Sequence, residues 1–233
     1  IHPFLQRDLA QTKTLASSSN LFIQSVKKSD RYKALKKQGL SEQKISHQFK
    51  VPVQTSIFTY QGEVDTLITP TDSIRHTLSL LEAGFMVTDP KTGNIKAWVG
   101  GISFKNFQYD HILAQRQVGS VFKPIIYTKA LIDGYSPCDF ISNRKTTYTQ
   151  YDDWTPKNSN NNYEGKYSLV GALTNSVNTI SVHLCMKSGI KNVISFAQKL
   201  GISDSLPEVP SIALGVSNIS FRNMISAYST FAN

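Results

Sequence analysis

Apolar positions along the chain change spacing several times, and each change marks an element. Residues 1–50 are polar, basic and helix-prone, whereas 51–60 are rich in β-branched and aromatic residues and predict a strand. Thr69-Pro70-Thr71-Asp72 has the form of a helix start; Ile74, Leu78 and Leu81 supply an apolar face and Gly84 stands just beyond it. A helix of about three turns is expected there. Phe85-Met86-Val87-Thr88, a polar run from 89 to 94, and residues 95–99 read as a β-hairpin closed by Gly100-Gly101. After a polar loop, 118–133 is an apolar helical run ended by Gly134, and Ser136-Pro137 prevents its continuation. Residues 142–165 are loop-like, and their Asn-rich tract, 158–162, is expected to be solvated. Further helices are expected near 168–173, 179–187, 191–200 and 220–231, and no internal repeat is present. A helix, a hairpin and then a run of helices predict an α+β fold whose sheet is incomplete at its C-terminal side. Residues 1–66 read as a linker region, basic and largely helical with a strand near 51–60, and 67–233 as the first part of a second domain.

Charge changes this picture only at the N-terminal end. The 233 residues carry 25 Lys and Arg against 16 Asp and Glu, but residues 1–60 hold ten basic and three acidic side chains and the remainder is nearly balanced. With 40% hydrophobic residues the composition is that of a folded protein. No aromatic-interleaved basic stripe or reading module accompanies the charge, so no nucleic acid is expected as a partner. Lys27, Lys28, Arg31, Lys33, Lys36 and Lys37 read as a solvated helix face. No apolar stretch approaches the roughly 18–20 residues of a membrane span. The chain opens at Ile1 without Met or a signal-peptide pattern and stops inside a helical stretch, so both ends are expected to be cut. Cys138 and Cys185, 47 positions apart, form neither a zinc pattern nor a redox pair, and both are expected as buried thiols. His2, His47, His76, His111 and His183 are scattered; no metal and no cofactor are expected.

Acyl transfer by a serine needs a base within reach of the hydroxyl, and Ser-x-x-Lys supplies one because residues three apart share a helix face. The pattern occurs five times, at Ser25/Lys28, Ser41/Lys44, Ser120/Lys123, Ser142/Lys145 and Ser188/Lys191. Only Ser120/Lys123 lies among apolar neighbours, Val118, Val121, Phe122, Ile125 and Ile126, where desolvation favours a neutral amine. Gly119 before it permits close approach of a substrate. The pair reads either as catalytic or as a capped helix start. Ser-x-Asn occurs at Ser18-Ser19-Asn20, Ser159-Asn160-Asn161 and Ser176-Val177-Asn178, and only the last lies between apolar helical segments, as a turn that can present polar groups to a cleft or cap a helix.

Arg116-Gln117-Val118-Gly119-Ser120-Val121-Phe122-Lys123-Pro124 together with Ser176-Val177-Asn178 resembles the transpeptidase domain of penicillin-binding proteins, relatives of the serine β-lactamases. The resemblance extends over about 69–233 and takes in Ala213-Leu214-Gly215 and Ala227-Tyr228-Ser229-Thr230-Phe231; the lead-in helix and hairpin look most like the bifunctional class A members. It implies that Ser120 is the acylated nucleophile, Lys123 its base, Ser176 a proton relay, and Asn178 and Gly119 contacts of the substrate backbone, with half of the oxyanion hole from the Ser120 N–H. The implied reaction joins D-Ala-D-Ala stem peptides to an amine on a neighbouring strand. Partners would be stem peptides, lipid II-derived glycan strands and β-lactams, at the periplasmic side of the cell inner membrane, with an anchor and a glycosyltransferase domain preceding Ile1. A D,D-carboxypeptidase or β-lactamase-type hydrolase, or a non-catalytic scaffold domain, are the alternatives. The family's third motif, Lys-Thr/Ser-Gly, has two matches, Lys91-Thr92-Gly93 and Lys187-Ser188-Gly189, and both read as decoys, one in a hairpin turn and one at a helix end. The true motif is expected beyond Asn233, which makes the isolated chain a slowly acylating fragment.

Overall fold

The computed structural model describes residues 19–232. His2, Ser18 and the expected helical content of 1–18 lie outside the described residues. The chain divides between Glu82 and Ala83 into two compact units, each with its own buried cluster.

In the first unit, helices α1 (Asn20–Lys28), α2 (Asp30–Lys37) and α3 (Glu42–Gln48) are each started by a serine: Ser19, Ser29 and Ser41 accept from a backbone N–H in the first turn. Lysines close α1 and α2, on the side favoured by the helix dipole. Strands β1 (Val53–Thr59) and β2 (Gly62–Ile68) form an antiparallel hairpin paired from Val53↔Ile68 to Thr59↔Gly62. Helix α4 (Pro70–Ser79) begins where Thr69 accepts from Asp72 N, with Pro70 in the first turn. Leu35, Ile45 and Phe49 form the small core, with Ile74 of α4 against it, and Thr71 donates both N–H and hydroxyl to the Phe49 carbonyl. Those contacts tie α4 to the helices before it, so α4 closes the first unit and does not open the second.

The second unit starts with the expected hairpin, β3 (Phe85–Thr88) and β4 (Ile95–Val99), whose register shifts at Thr88. Short antiparallel pairs then organise the rest: β5 (Gln115–Gln117) with β8 (Asn218–Ser220), and β6 (Phe140–Ser142) with β7 (Lys166–Ser168). Its core lies between α5 (Lys123–Ile132), α7 (Asn178–Ser188), α8 (Ile190–Lys199) and the 3₁₀ turn Pro210–Leu214. Phe122, Ile125, Ile126, Ile180, Val182, Leu184 and Val193 are inaccessible to solvent, and each contributes about 1.5–3 kcal/mol of burial. Helix α7 is buried on nearly every side, which explains its lack of an amphipathic pattern. Helices α6 (Leu169–Thr174) and α9 (Phe221–Ser229) complete the unit, capped by Ser168 and Ser220.

The apolar run expected as one helix over 118–133 is a 3₁₀ turn, Gly119–Phe122, followed by α5 from Lys123. Cys185 is buried as expected, but Cys138 is exposed, because it lies in the turn after Gly134 and not in an apolar row. The Asn-rich tract also departs from expectation: four of its residues are exposed, whereas Asn158 is buried and bonded to the first turn of α7. Among the described residues no helix is long and apolar enough to cross a membrane, and no group of three or more His, Cys, Asp and Glu could hold a metal ion.

Candidate active site

Strand β5 delivers the chain to Gly119, which adopts φ +58°, a conformation glycine tolerates and other residues resist. The chain then tightens into the 3₁₀ turn that carries Ser120 at the surface and leads into α5, whose first residue, Lys123, points inside, so the two face different environments although only three residues apart. Gly215, in the left-handed region at φ +70°, packs against the back of this turn: its carbonyl accepts from Gly119 N at 2.9 Å, and a Cβ at 215 would stand 1.9 Å from the Gly119 oxygen. From α9, the Tyr228 hydroxyl donates to the Val121 carbonyl at 2.7 Å. The turn is thus held on both sides by groups distant in sequence.

Opposite it, α6 ends and the chain passes through Ser176 into α7. Ser176 has φ +52°, costly for a residue with a Cβ, on the order of 1 kcal/mol or more. That kink directs its hydroxyl at the Ser120 turn. Ser176 Oγ donates to Ser120 Oγ at 3.0 Å, and Lys123 Nζ donates to Ser176 Oγ at 2.9 Å, to the Ser176 carbonyl at 2.6 Å and to Asn178 Oδ1 at 2.6 Å. Lys123 makes no hydrogen bond to Ser120; the Ser176 hydroxyl stands between them. Lys123 is only 1% exposed, and burial pulls its ammonium down from 10.5 to about 8.

All four polar residues expected at the site therefore converge, and Gly119 adjoins them. Neither Ser176 nor Asn178 caps α7: its N-cap residue, Val177, has no side chain able to do so. The Asn178 and Thr179 N–H groups donate instead to Asn158 Oδ1, at 3.0 and 3.1 Å. Asn178 Nδ2 donates to the Lys157 carbonyl at 2.7 Å, so its amide bridges Lys123 and the Asn-rich loop. Sequence reading missed Asn158, Asn143 and Thr179, which form a buried polar group behind the site. The one available signal was Pro156, whose ring fixes the backbone two residues before Asn158. Both Lys-x-Gly matches lie elsewhere: Gly93 sits in the β3–β4 turn and Gly189 between α7 and α8, each with positive φ. A cavity of about 550 Å³ lined by Arg116, Val118, Val121, Met224 and Tyr228 opens beside the Ser120 turn, but Ser120 does not line it.

This α+β fold carries a surface serine and a buried lysine with a second serine between them, and comparison with known proteins shows the family in which it is found. The penicillin-binding protein transpeptidase domain model matches residues 83–233 and the penicillin-binding protein middle domain model matches 2–81. The chain belongs to the penicillin-binding protein transpeptidase family. It is 36% identical over 157 residues to penicillin-binding protein 1A of Pseudomonas aeruginosa, covering 65% of this chain and 19% of that protein. It is 37% identical over 157 residues to penicillin-binding protein 1A of Aquifex aeolicus, covering 66% and 22%. The chain thus spans about a fifth of the length of these curated relatives. The crystal structure of penicillin-binding protein 1A from Haemophilus influenzae superposes on 65% of this chain and 23% of that one, with a TM-score of 0.62 at 28% identity.

Proposed function

We propose that the second unit carries the acyl-transfer site of a peptidoglycan D,D-transpeptidase, with Ser120 as nucleophile, Lys123 as base and Ser176 as the relay between them. The observation that supports this most is the hydrogen-bond chain from Lys123 Nζ through Ser176 Oγ to Ser120 Oγ. With Lys123 neutral, that chain reverses direction: Ser120 gives its proton to Ser176 Oγ as Ser176 gives its own to Lys123 Nζ. Ser120 Oγ then bonds to the carbonyl carbon of the penultimate D-alanine of a stem peptide. The Ser120 N–H, in the first turn of the 3₁₀ segment and without an acceptor inside it, faces the developing oxyanion. Collapse breaks the amide bond, and the leaving D-alanine nitrogen takes the proton back from Lys123 through Ser176. An amine from a neighbouring strand attacks the resulting ester and loses its proton to the same pair, which frees Ser120. Asn178, with its oxygen on Lys123, has one remaining Nδ2–H for the substrate backbone. The open space where a Gly119 side chain would stand leaves room for that backbone.

A β-lactam follows the same first step, but its leaving nitrogen stays tethered and the ester persists. On this reading the partners are stem peptides, glycan strands and β-lactams, and the location is the periplasmic face of the inner membrane. The glycosyltransferase half of a bifunctional enzyme belongs to the same proposal and rests on the likeness of the lead-in helix and hairpin to class A members, not on the residues of this site. The test is covalent labelling by a fluorescent penicillin with the chain in its complete reading frame. Label that survives denaturation is expected in the parent and absent in Ser120→Ala; labelling that persists in Ser120→Ala overturns the nucleophile. Supplying a D-Ala-D-Ala peptide with an amine acceptor should give the new amide and free D-alanine, and hydrolysis alone would assign the site to a carboxypeptidase instead.

A further inference from the structure

We propose that Asn158 is a positioning residue for the acyl-transfer site: its buried side-chain amide fixes the start of α7 and, through the loop that carries it, the orientation of the Asn178 amide against Lys123. The inference rests on the proposed roles of Ser120 and Lys123. Asn158 is 6% exposed, although Ser159 to Asn162 around it are exposed. A buried amide must satisfy two donors and two acceptor sites, and here all are used. Its oxygen accepts the Asn178 and Thr179 N–H groups; its nitrogen donates to Asn143 Oδ1 and to the Asn162 carbonyl, both at 2.8 Å. These two N–H groups are the orphans that every helix start leaves, and no residue adjoining α7 in sequence offers them a side-chain acceptor.

The same loop also holds the Asn178 side chain. Lys157, one residue before Asn158, accepts from Asn178 Nδ2, and this fixes which end of the amide faces Lys123: the oxygen, 2.6 Å from Nζ. A reversed amide would set a donor against an ammonium and a carbonyl oxygen against the Lys157 carbonyl. Behind Asn158, Asn143 is 2% exposed and Thr179 4% exposed; Thr179 Oγ1 donates to Asn143 Oδ1 at 2.7 Å, and Asn143 Nδ2 donates to the Asn162 and Glu164 carbonyls. Asn143 thereby anchors the loop from the end of β6. Without Asn158, two buried N–H groups lose their acceptor, the loop loses its tie to α7, and the Asn178 amide is free to turn away from Lys123.

The test is a double-mutant cycle on the rate constant for acylation by a fluorescent penicillin, in the complete reading frame. Asn158→Ala is expected to slow acylation by about 10- to 100-fold, the scale of a misplaced catalytic group. Asn178→Ala should slow it at least as much. In the double variant the two losses should not multiply, leaving it within about twofold of Asn178→Ala alone, because one residue acts through the other. Losses that multiply, or an Asn158→Ala rate within about twofold of the parent, overturn the proposal. Should Asn158→Ala fail to fold in a melting experiment, Asn143→Ala enters the same cycle; a smaller loss that vanishes in the Asn178→Ala background supports the role, and no loss or an additive one refutes it. Ser120→Ala, run alongside, separates the two readings: label that survives there defeats the proposed function whatever Asn158 does.

Discussion

Lys123 has three protons as an ammonium and finds three acceptors, two on Ser176 and one on Asn178. To act as a base it must become an amine whose lone pair faces Ser176 Oγ, while the remaining protons keep the Ser176 carbonyl and Asn178. Burial brings this within reach by lowering its pKa to about 8. Acylation of Ser120 should therefore rise with pH through about 8, and a pH–rate profile that is flat there would contradict Lys123 as the base. Lys123→Met should abolish that limb and slow acylation by roughly 100-fold or more. The same shift fixes a stability sign. The folded pKa lies below the unfolded value, so between about 8 and 10.5 the unfolded chain binds more protons and stability rises with pH. The melting temperature of the parent relative to Lys123→Met should accordingly rise as pH is raised across that window. Ser120, Lys123, Ser176 and Asn178 were legible in the sequence because apolar neighbours marked one Ser-x-x-Lys and one Ser-x-Asn among several. Asn158 was not, because composition is uniform along the tract and only depth, set by partners about twenty residues on, distinguishes it.

Among the elements, helices with one buried face were legible from their spacing, whereas the strands β5 to β8 are three residues long and show no period. Strand β2 was hidden for another reason: with Glu63, Val64 and Asp65 exposed, its burial does not alternate. Gly215 shows how one element constrains another. Its neighbour is the backbone of Gly119, which cannot yield as a flexible side chain would, so Gly215→Ala should lose well over the roughly 1 kcal/mol that a left-handed φ alone costs and should also depress Ser120 labelling. Gly134→Ala is the contrast. Its φ is +102° but nothing lies within 4 Å of an added Cβ, so a stability loss near 1 kcal/mol with unchanged labelling is expected. Denaturant unfolding and labelling of both variants check the pair. Equal effects on labelling would show that the close approach of Gly215 to Gly119 does not hold the Ser120 turn.

The molecule as a whole has two separate cores, and this separates its stability from its chemistry. Ile45→Ala, in the first core, should cost about 2–5 kcal/mol there and leave Ser120 labelling intact, whereas Ile180→Ala, in the first turn of α7, should lower stability and labelling together. Melting curves and labelling of the two variants check this, and lost labelling in Ile45→Ala would contradict it. The fold class was legible from helix, hairpin and helix run; the boundary at Glu82 was not, because contacts between Phe49, Thr71 and Ile74 decide where α4 belongs, and sequence order does not reveal them. The central claim is that Ser120 Oγ is the atom acylated. Peptide-mapping mass spectrometry after exposure of the complete reading frame to a penicillin tests it most directly. The account predicts one penicillin mass on the peptide containing Ser120, and none after Ser120→Ala. An adduct on any other residue, or one that survives Ser120→Ala, would contradict it.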